Sequence, residues 1–250
     1  MGRLAEIWRH PLKGIGAERI AKVLLTRGEA LPHDRVWALA HGTSDFDPAA
    51  PAWEKRKNFV VQAMTPELAR VALETGADGT LTLSHPAQDS VSVAPGTEAG
   101  AAALAAWIEG LAGERQPGPY RVAHVPGRAM TDMPQPYVSI LSLASMRALG
   151  QHAGAALHIR RFRGNLWLDD LAPWEEEAWI DRELTIGTAR LRVDEPIGRC
   201  KATEANPATG DYDVPTVAEL RRLRGHTEFG VYATVIEGGT IAEGDAVSPA

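Results

Sequence analysis

Apolar and polar positions alternate in short bursts along most of this chain, the period-two pattern of half-buried strands. In the first half, residues 4–8, 20–25, 35–40, 59–62, 70–73, 80–84 and 90–94 each read as a strand. Glycine-bearing stretches at 13–17 and 76–79 read as turns, the second closing a hairpin and the first putting Lys13 on a loop. The alternation Asp34-Arg35-Val36-Trp37 places Arg35 and Trp37 on one strand face, and the Pro-, Asp- and Ser-rich run 42–58 reads as an exposed loop. The period then lengthens: Leu104, Trp107, Ile108 and Leu111 fall at helical spacing over 98–111, directly after Thr97, a suitable N-cap.

Residues 113–119 hold two prolines and two glycines and read as a connecting segment, which divides the chain into a β-rich region at 1–112 and a second region at 113–250. Strands are expected at 120–125, 138–141, 166–168, 184–186, 189–193 and 230–236, with a turn at Gly187-Thr188. Ser142 caps a helix running to about residue 151, and 216–224 reads as a short helix. The class is therefore α+β, predominantly β, with a few helices.

Composition narrows the chemistry. With 250 residues, 44% hydrophobic and 23% charged, the chain is ordinary for a globular protein. Its net charge of -6 argues against general nucleic-acid binding, which needs a basic surface to release counterions. An anionic ligand would need a local cluster of cations. One cysteine excludes an intrachain disulfide and a Cys pair for zinc or an iron-sulfur cluster. The opening MGRLAEIWRHPLKG has no long apolar run, and no window reaches the roughly 18 apolar residues of a membrane span, so a cytoplasmic protein without membrane contact is expected.

That cysteine, Cys200, follows Arg199 and the loop-prone Glu195-Pro196-Ile197-Gly198. A guanidinium beside a thiol favours the thiolate, a nucleophile and soft metal ligand; a small buried apolar residue is the alternative. Glu175, Glu176 and Glu177 read as a solvated turn between Trp174 and Trp179. His124, His152 and His158 lack the spacing of a zinc site, Gly14-Ile15-Gly16 lacks the third glycine of a dinucleotide loop, and no Walker or GxSxG motif is present.

RFRGN (161–165), EEEAW, IGTARLRV, GRC (198–200) and NPATG, in this order, resemble the MOSC domain, named for the C-terminal region of molybdenum cofactor sulfurases. HPLKG (10–14) and DRVW (34–37) are similar to the β-barrel region that precedes it in amidoxime-reducing proteins, and 229–232 and GTIAEGDAV (239–247) to its closing strands. The resemblance implies a MOSC-type β-barrel with peripheral helices behind a smaller N-terminal β-barrel-like region. It implies the molybdenum cofactor, Mo-molybdopterin, with Cys200 as metal ligand. By the same resemblance Lys13, Arg35, Arg163 and Asn165 hold the pterin and its phosphate, and Gly198 and Arg199 contact the metal site.

Two positions depart from the pattern. Gly14 stands where the family often has Ser, and Gln135-Pro136 where amidoxime-reducing members have Thr-Ser, leaving Ser139 as a substitute donor. The activity implied is reduction of N-hydroxylated or N-oxide small molecules, with electrons from a separate donor protein, since no flavin, haem or iron-sulfur motif is visible. The alternative is a cofactor or sulfur carrier that holds a persulfide on Cys200 without turnover of its own.

Overall fold

The alternation in the sequence becomes a closed barrel. The computed structural model describes residues 2–112 and 115–249. Its strands are β1 (Gly2–Arg9), β2 (Glu18–Ile20), β3 (Lys22–Leu25), β4 (Ala38–Ala40), β5 (Ala72–Thr75), β6 (Leu81–His85), β7 (Gln88–Val93) and β8 (Arg121–Ala123) in the first half. The second half adds β9 (Val138–Ser142), β10 (Leu166–Asp169), β11 (Glu183–Ile186), β12 (Ala189–Gly198), β13 (Glu228–Glu237), β14 (Gly239–Ala242) and β15 (Ala246–Pro249). The helices are α1 (Glu98–Ala112), α2 (Leu143–Ala153) and α3 (Thr216–Arg224).

Seven strands close on themselves in the order β10-β9-β13-β12-β11-β15-β1, with β1 pairing back onto β10 and β2 extending from β1. Closure leaves no unpaired edge within the ring. Every pair around it is antiparallel except β9 with β10, which α2 and the turns after it connect. The inward positions are Leu4, Ile7, Val138, Ile140, Leu166, Leu168, Leu191, Val193, Val231 and Ala233, all fully buried. Each large aliphatic among them contributes about 1.5–3 kcal/mol by leaving water. The outer wall carries a second core, where Trp167, Phe229, Phe162 and Leu141 pack against α2 and α3 through Leu149 and Leu220.

The smaller lobe is the meander β5-β6-β7 covered by α1. Leu104, Ile108 and Leu111 turn inward onto Leu81, Leu83 and Val93, and the Thr97 hydroxyl accepts the Gly100 N–H at 3.0 Å as the cap. Fold class is as expected: mostly β with three helices among the described residues. Chain order and spatial grouping differ, however. β1 is a strand of the barrel and β3 pairs with β14, so both ends of the first 25 residues lie with the second half, while Leu12 and Ile15 between them pack into the core of the smaller lobe. The connecting segment expected at 113–119 begins at residues 113 and 114, outside the described residues.

Several elements differ from expectation for identifiable reasons. The strand expected at 35–40 starts only at Ala38, because Arg35 has φ 51°, a left-handed conformation that no strand accommodates. The stretch at 59–62 makes one bridge, Ala40 to Phe59, and 70–73 is preceded by a 3₁₀ turn, Pro66–Arg70, which delays β5 to Ala72. The helix capped by Ser142 runs on to Ala153, where Gly154 at φ 67° ends it.

The acidic run is the clearest correction. Glu175–Trp179 is a 3₁₀ turn packed against β9 and β13, and Glu176 is fully buried, accepting a hydrogen bond from the Ser145 hydroxyl at 2.9 Å. Burial raises its carboxyl to about 7, while its other oxygen has no hydrogen-bond partner among the described residues. A carboxyl raised from about 4.5 contributes most stability below that value, and the contribution is lost as pH rises through 7. Glu176→Gln should therefore leave stability at about pH 4 nearly unchanged and raise it at about pH 8, on the order of 3 kcal/mol. Urea unfolding at the two pH values measures this, and equal effects at both would refute the burial assignment.

Candidate functional site

One cleft lies where the two lobes meet, and both halves of the chain line it. Six cationic side chains face it, Lys13, Arg35, Arg56, Arg161, Arg163 and Arg199, against one carboxylate, Asp132. The eight candidates named from the sequence, Lys13, Arg35, Ser139, Arg163, Asn165, Gly198, Arg199 and Cys200, all line this cleft.

Lys13 sits in the turn between β1 and β2, almost wholly buried, with Nζ 2.5 Å from Asp132 Oδ1 and 5.9 Å from the centre of the Phe59 ring. Burial lowers its pKa, Arg35 and Arg163 lower it further, and Asp132 opposes both. Arg35 is held from behind. Asp34, itself buried, pairs with its guanidinium and accepts the His10 backbone N–H at 2.7 Å. A second Arg35 nitrogen donates to the Arg163 carbonyl at 2.8 Å. The left-handed backbone at Arg35 and at Arg163 (φ 49°) turns both side chains off their elements at this seam.

Arg163 makes no ion pair with a carboxylate among the described residues. Its guanidinium donates to the Gly16 and Leu12 carbonyls at 2.7 and 3.0 Å, and burial beside Arg35 lowers its pKa to about 9. His10, buried next to these charges, is held neutral: burial first, then Arg163 and Arg35, push it down to about 3. Arg161, by contrast, is neutralised by a two-pronged pair with Asp213, both contacts 2.7 Å.

Asn165 and Ser139 are bonded to each other. The Ser139 hydroxyl donates to Asn165 Oδ1 at 2.8 Å and accepts the Asn165 backbone N–H at 2.9 Å, while Asn165 Nδ2 donates to the Trp8 carbonyl at 3.2 Å. This tie joins β9, β10 and β1 at the cleft wall, so both residues serve the barrel as well as the cleft.

Gly198 ends β12, and a Cβ there would meet nothing within 4 Å, so the backbone before the sulfur is open to a ligand. Cys200 is half-buried and starts a 3₁₀ turn, Lys201–Glu204, with its carbonyl accepting the Thr203 N–H and hydroxyl at 3.1 and 3.0 Å. The expected neighbour guanidinium behaves differently. Arg199 points at backbone, donating to the Phe229 carbonyl at 2.8 and 2.6 Å and to the Phe162 carbonyl at 2.9 Å, between the two rings. Burial lowers its pKa to about 10. The guanidinium that faces the sulfur is Arg56, from the far lobe, and Cys200 is the main cause of its raised pKa.

Comparison with known proteins now decides the family. The model of the MOSC N-terminal beta barrel domain matches residues 1–112, and that of the MOSC domain matches residues 128–248. This chain belongs to the MOSC-domain family. Among curated relatives, the Anopheles gambiae molybdenum cofactor sulfurase is 35% identical over 78 residues, 31% of this chain and 10% of that protein. The Drosophila erecta molybdenum cofactor sulfurase is 29% identical over 141 residues, 54% of this chain and 18% of that protein. This MOSC protein thus matches between a tenth and a fifth of their length. Among solved structures, the YUAD protein from Bacillus subtilis is 12% identical with a TM-score of 0.49, covering 99% of this chain and 94% of that one.

The MOSC protein's cleft also holds residues that no sequence pattern singled out. Arg56 lies in a charged run, WEKRKN, read as exposed loop; its turn, Arg56–Asn58, is pinned by buried Asn58, whose side chain bonds Asp45 N–H and Glu54. Asp132 sits in an irregular stretch held by Trp53, whose indole donates to the Thr131 carbonyl at 2.9 Å. Tyr137 and Tyr232 stack at 5.0 Å and 17°. Only Tyr232 carried a signal, as part of FGVY.

Gly14, where the family often has Ser, has a local reason. Its φ is +73°, and a Cβ would lie 2.7 Å from the Val61 Cα and 2.9 Å from the Val60 carbonyl. The close contact of the Lys13 turn with the neighbouring chain therefore excludes a side chain here. Gly14→Ser should destabilise the protein by about 1–3 kcal/mol rather than restore a donor. Chemical denaturation measures it, and unchanged stability would show that the turn relaxes freely.

Proposed function

We propose that this MOSC protein binds a molybdenum cofactor in the cleft, with the Cys200 thiolate as protein ligand to the metal, and reduces N-hydroxylated or N-oxide compounds. The observation that supports this reading is the joining of a soft sulfur donor to a cluster of six positive side chains, of which Asp132, Asp34 and Asp213 pair only Lys13, Arg35 and Arg161, in a protein of net charge -6. Arg56, Arg163 and Arg199 make no ion pair among the described residues, so the cleft's own charge is left for an anionic ligand to neutralise.

The donor set fits the group. Thiolate suits a thiophilic metal, and guanidinium forks suit a phosphate. Lys13, Arg35 and Arg163 would hold the phosphate and pterin, and Asn165 has a second amide N–H to offer once Trp8 is served. For Lys13 to turn to a phosphate, Asp132 must yield it, and Asp132 can: its side chain is 54% exposed. Gly198 gives the ligand room beside the sulfur. When bound, the cofactor supplies a two-electron redox centre. Reduction of an N–OH group consumes two electrons and two protons and yields N–H and water; a separate donor protein provides the electrons.

A second reading has a specific observation in its favour: the relatives are named sulfurases, and Cys200 is half-exposed at the cleft with a guanidinium before it. In that reading the sulfur carries a persulfide. Metal analysis of protein made in a host that synthesises the cofactor separates the two. The wild type should hold molybdenum near stoichiometry and Cys200→Ser little; equal content in both would remove the ligand role. The reduced wild-type protein should convert a hydroxylamine to its amine. A metal-free protein labelled by persulfide reagents at Cys200 would favour the carrier.

A further inference from the structure

Apart from the residues considered above, one polar side chain of the cleft is left without a task among the described residues. Asp132 and Lys13 hold each other, Asn165 and Ser139 hold each other, and the Thr131 hydroxyl donates to the Met133 carbonyl. The Thr203 hydroxyl is shared with Thr216 and the Cys200 carbonyl, and Gln62 donates to the Ala202 carbonyl at 2.9 Å. Cys200 raises the pKa of Arg56, and Glu195 adds to the burial that raises that of Tyr137, so each has a charged or ionisable neighbour. Tyr232 lines the same cleft and its hydroxyl makes no hydrogen bond among the described residues. A phenol left without a partner at a cleft wall is costly unless water or a ligand serves it.

The ring is nonetheless held firmly. Tyr232 lies on β13 opposite Ser139 of β9, and Tyr137, two residues before Ser139, stacks on it across the strand pair at 5.0 Å. Burial and the neighbouring Glu195 raise the Tyr137 hydroxyl to about 12, and its ring, stacked on Tyr232, acts as a brace. Burial raises the Tyr232 hydroxyl above its ordinary pKa, which keeps it a proton-bearing donor at neutral pH.

We infer that Tyr232 is the substrate-recognition residue of the cleft, its hydroxyl donating a hydrogen bond to the oxygen of the N–O group, with Tyr137 positioning the ring. The inference rests on the reading proposed above and names the feature of the substrate that the cleft detects. A donor placed for that oxygen favours an N-hydroxylated compound over its reduced product, which has no oxygen to accept the bond. It also promotes release of the product once the oxygen has left as water.

The test uses the molybdenum-loaded, oxidised protein, in which no electrons are supplied and nothing turns over. Calorimetric titration with benzamidoxime and with benzamidine gives the preference for the oxygenated compound, and because benzamidine is a cation in a cation-lined cleft, the change in that preference on substitution isolates the hydroxyl contact from charge. The wild type should bind benzamidoxime more tightly. Tyr232→Phe, which keeps the stacked ring, should lose about tenfold in affinity for benzamidoxime and less than about twofold for benzamidine, a loss of discrimination of about five- to tenfold, or about 1–1.4 kcal/mol. Tyr137→Leu should lose part of the same discrimination. Equal losses for both compounds, no loss, or a wild type without preference would overturn the assignment. Molybdenum content measured on the same samples keeps the two claims apart: a wild type without molybdenum sinks the underlying reading, whereas loaded variants with unchanged discrimination sink only the role of Tyr232.

Discussion

Positive charge gathered at the seam of two lobes, with too little negative charge beside it, is the constraint around which this protein is arranged. Like charges buried together repel strongly where water is scarce, and the structure counters this with what lies behind the cleft rather than in it. Asp34 backs Arg35, Asp213 backs Arg161, and the carbonyls of Leu12, Gly16, Phe162 and Phe229 take up Arg163 and Arg199. The faces that remain point at a common space, with a sulfur atom at its wall.

That arrangement requires the two halves to be fixed relative to one another. Gln62 donates to the Ala202 carbonyl, the Tyr212 hydroxyl to that of Ala63, and Arg160 to those of Ala69 and Val71, so side chains of one half satisfy backbone of the other. The start of the chain completes the barrel through β1, and the turn that follows β1 carries Lys13 to the seam. Cofactor-type ligands bind best where such a site is pre-formed, since little ordering remains to be done on binding.

Much of this was legible in the chain, and the limits have physical causes. Alternation marked the barrel strands because one face of each is buried, and Thr97 and Ser142 announced their helices because their hydroxyls cap free backbone donors. A hydrophobic pattern reports the burial of one element against an unspecified other. It therefore carried no sign that Arg56, in a charged loop, would face Cys200 from across the seam, or that Asp132 would take Lys13. Left-handed backbone at a non-glycine residue, as at Arg35, leaves no pattern either. Glu176 misled because three consecutive glutamates read as solvated, whereas the turn geometry buries the middle one. Seven of the eight candidate residues converged because each lay in a short motif of the family, which records spatial neighbours that periodicity does not; Ser139, offered only as a substitute donor, reaches the cleft through its tie to Asn165.

The central claim is that the seam holds unneutralised cations shaped for an anionic ligand, and anion-dependent stability tests it most directly. Protein made without cofactor should show a saturable rise in melting temperature with inorganic pyrophosphate, well beyond that given by chloride at matched ionic strength, and Arg163→Gln should diminish it. A response no larger than that to chloride, or one unaltered by the substitution, would contradict the account.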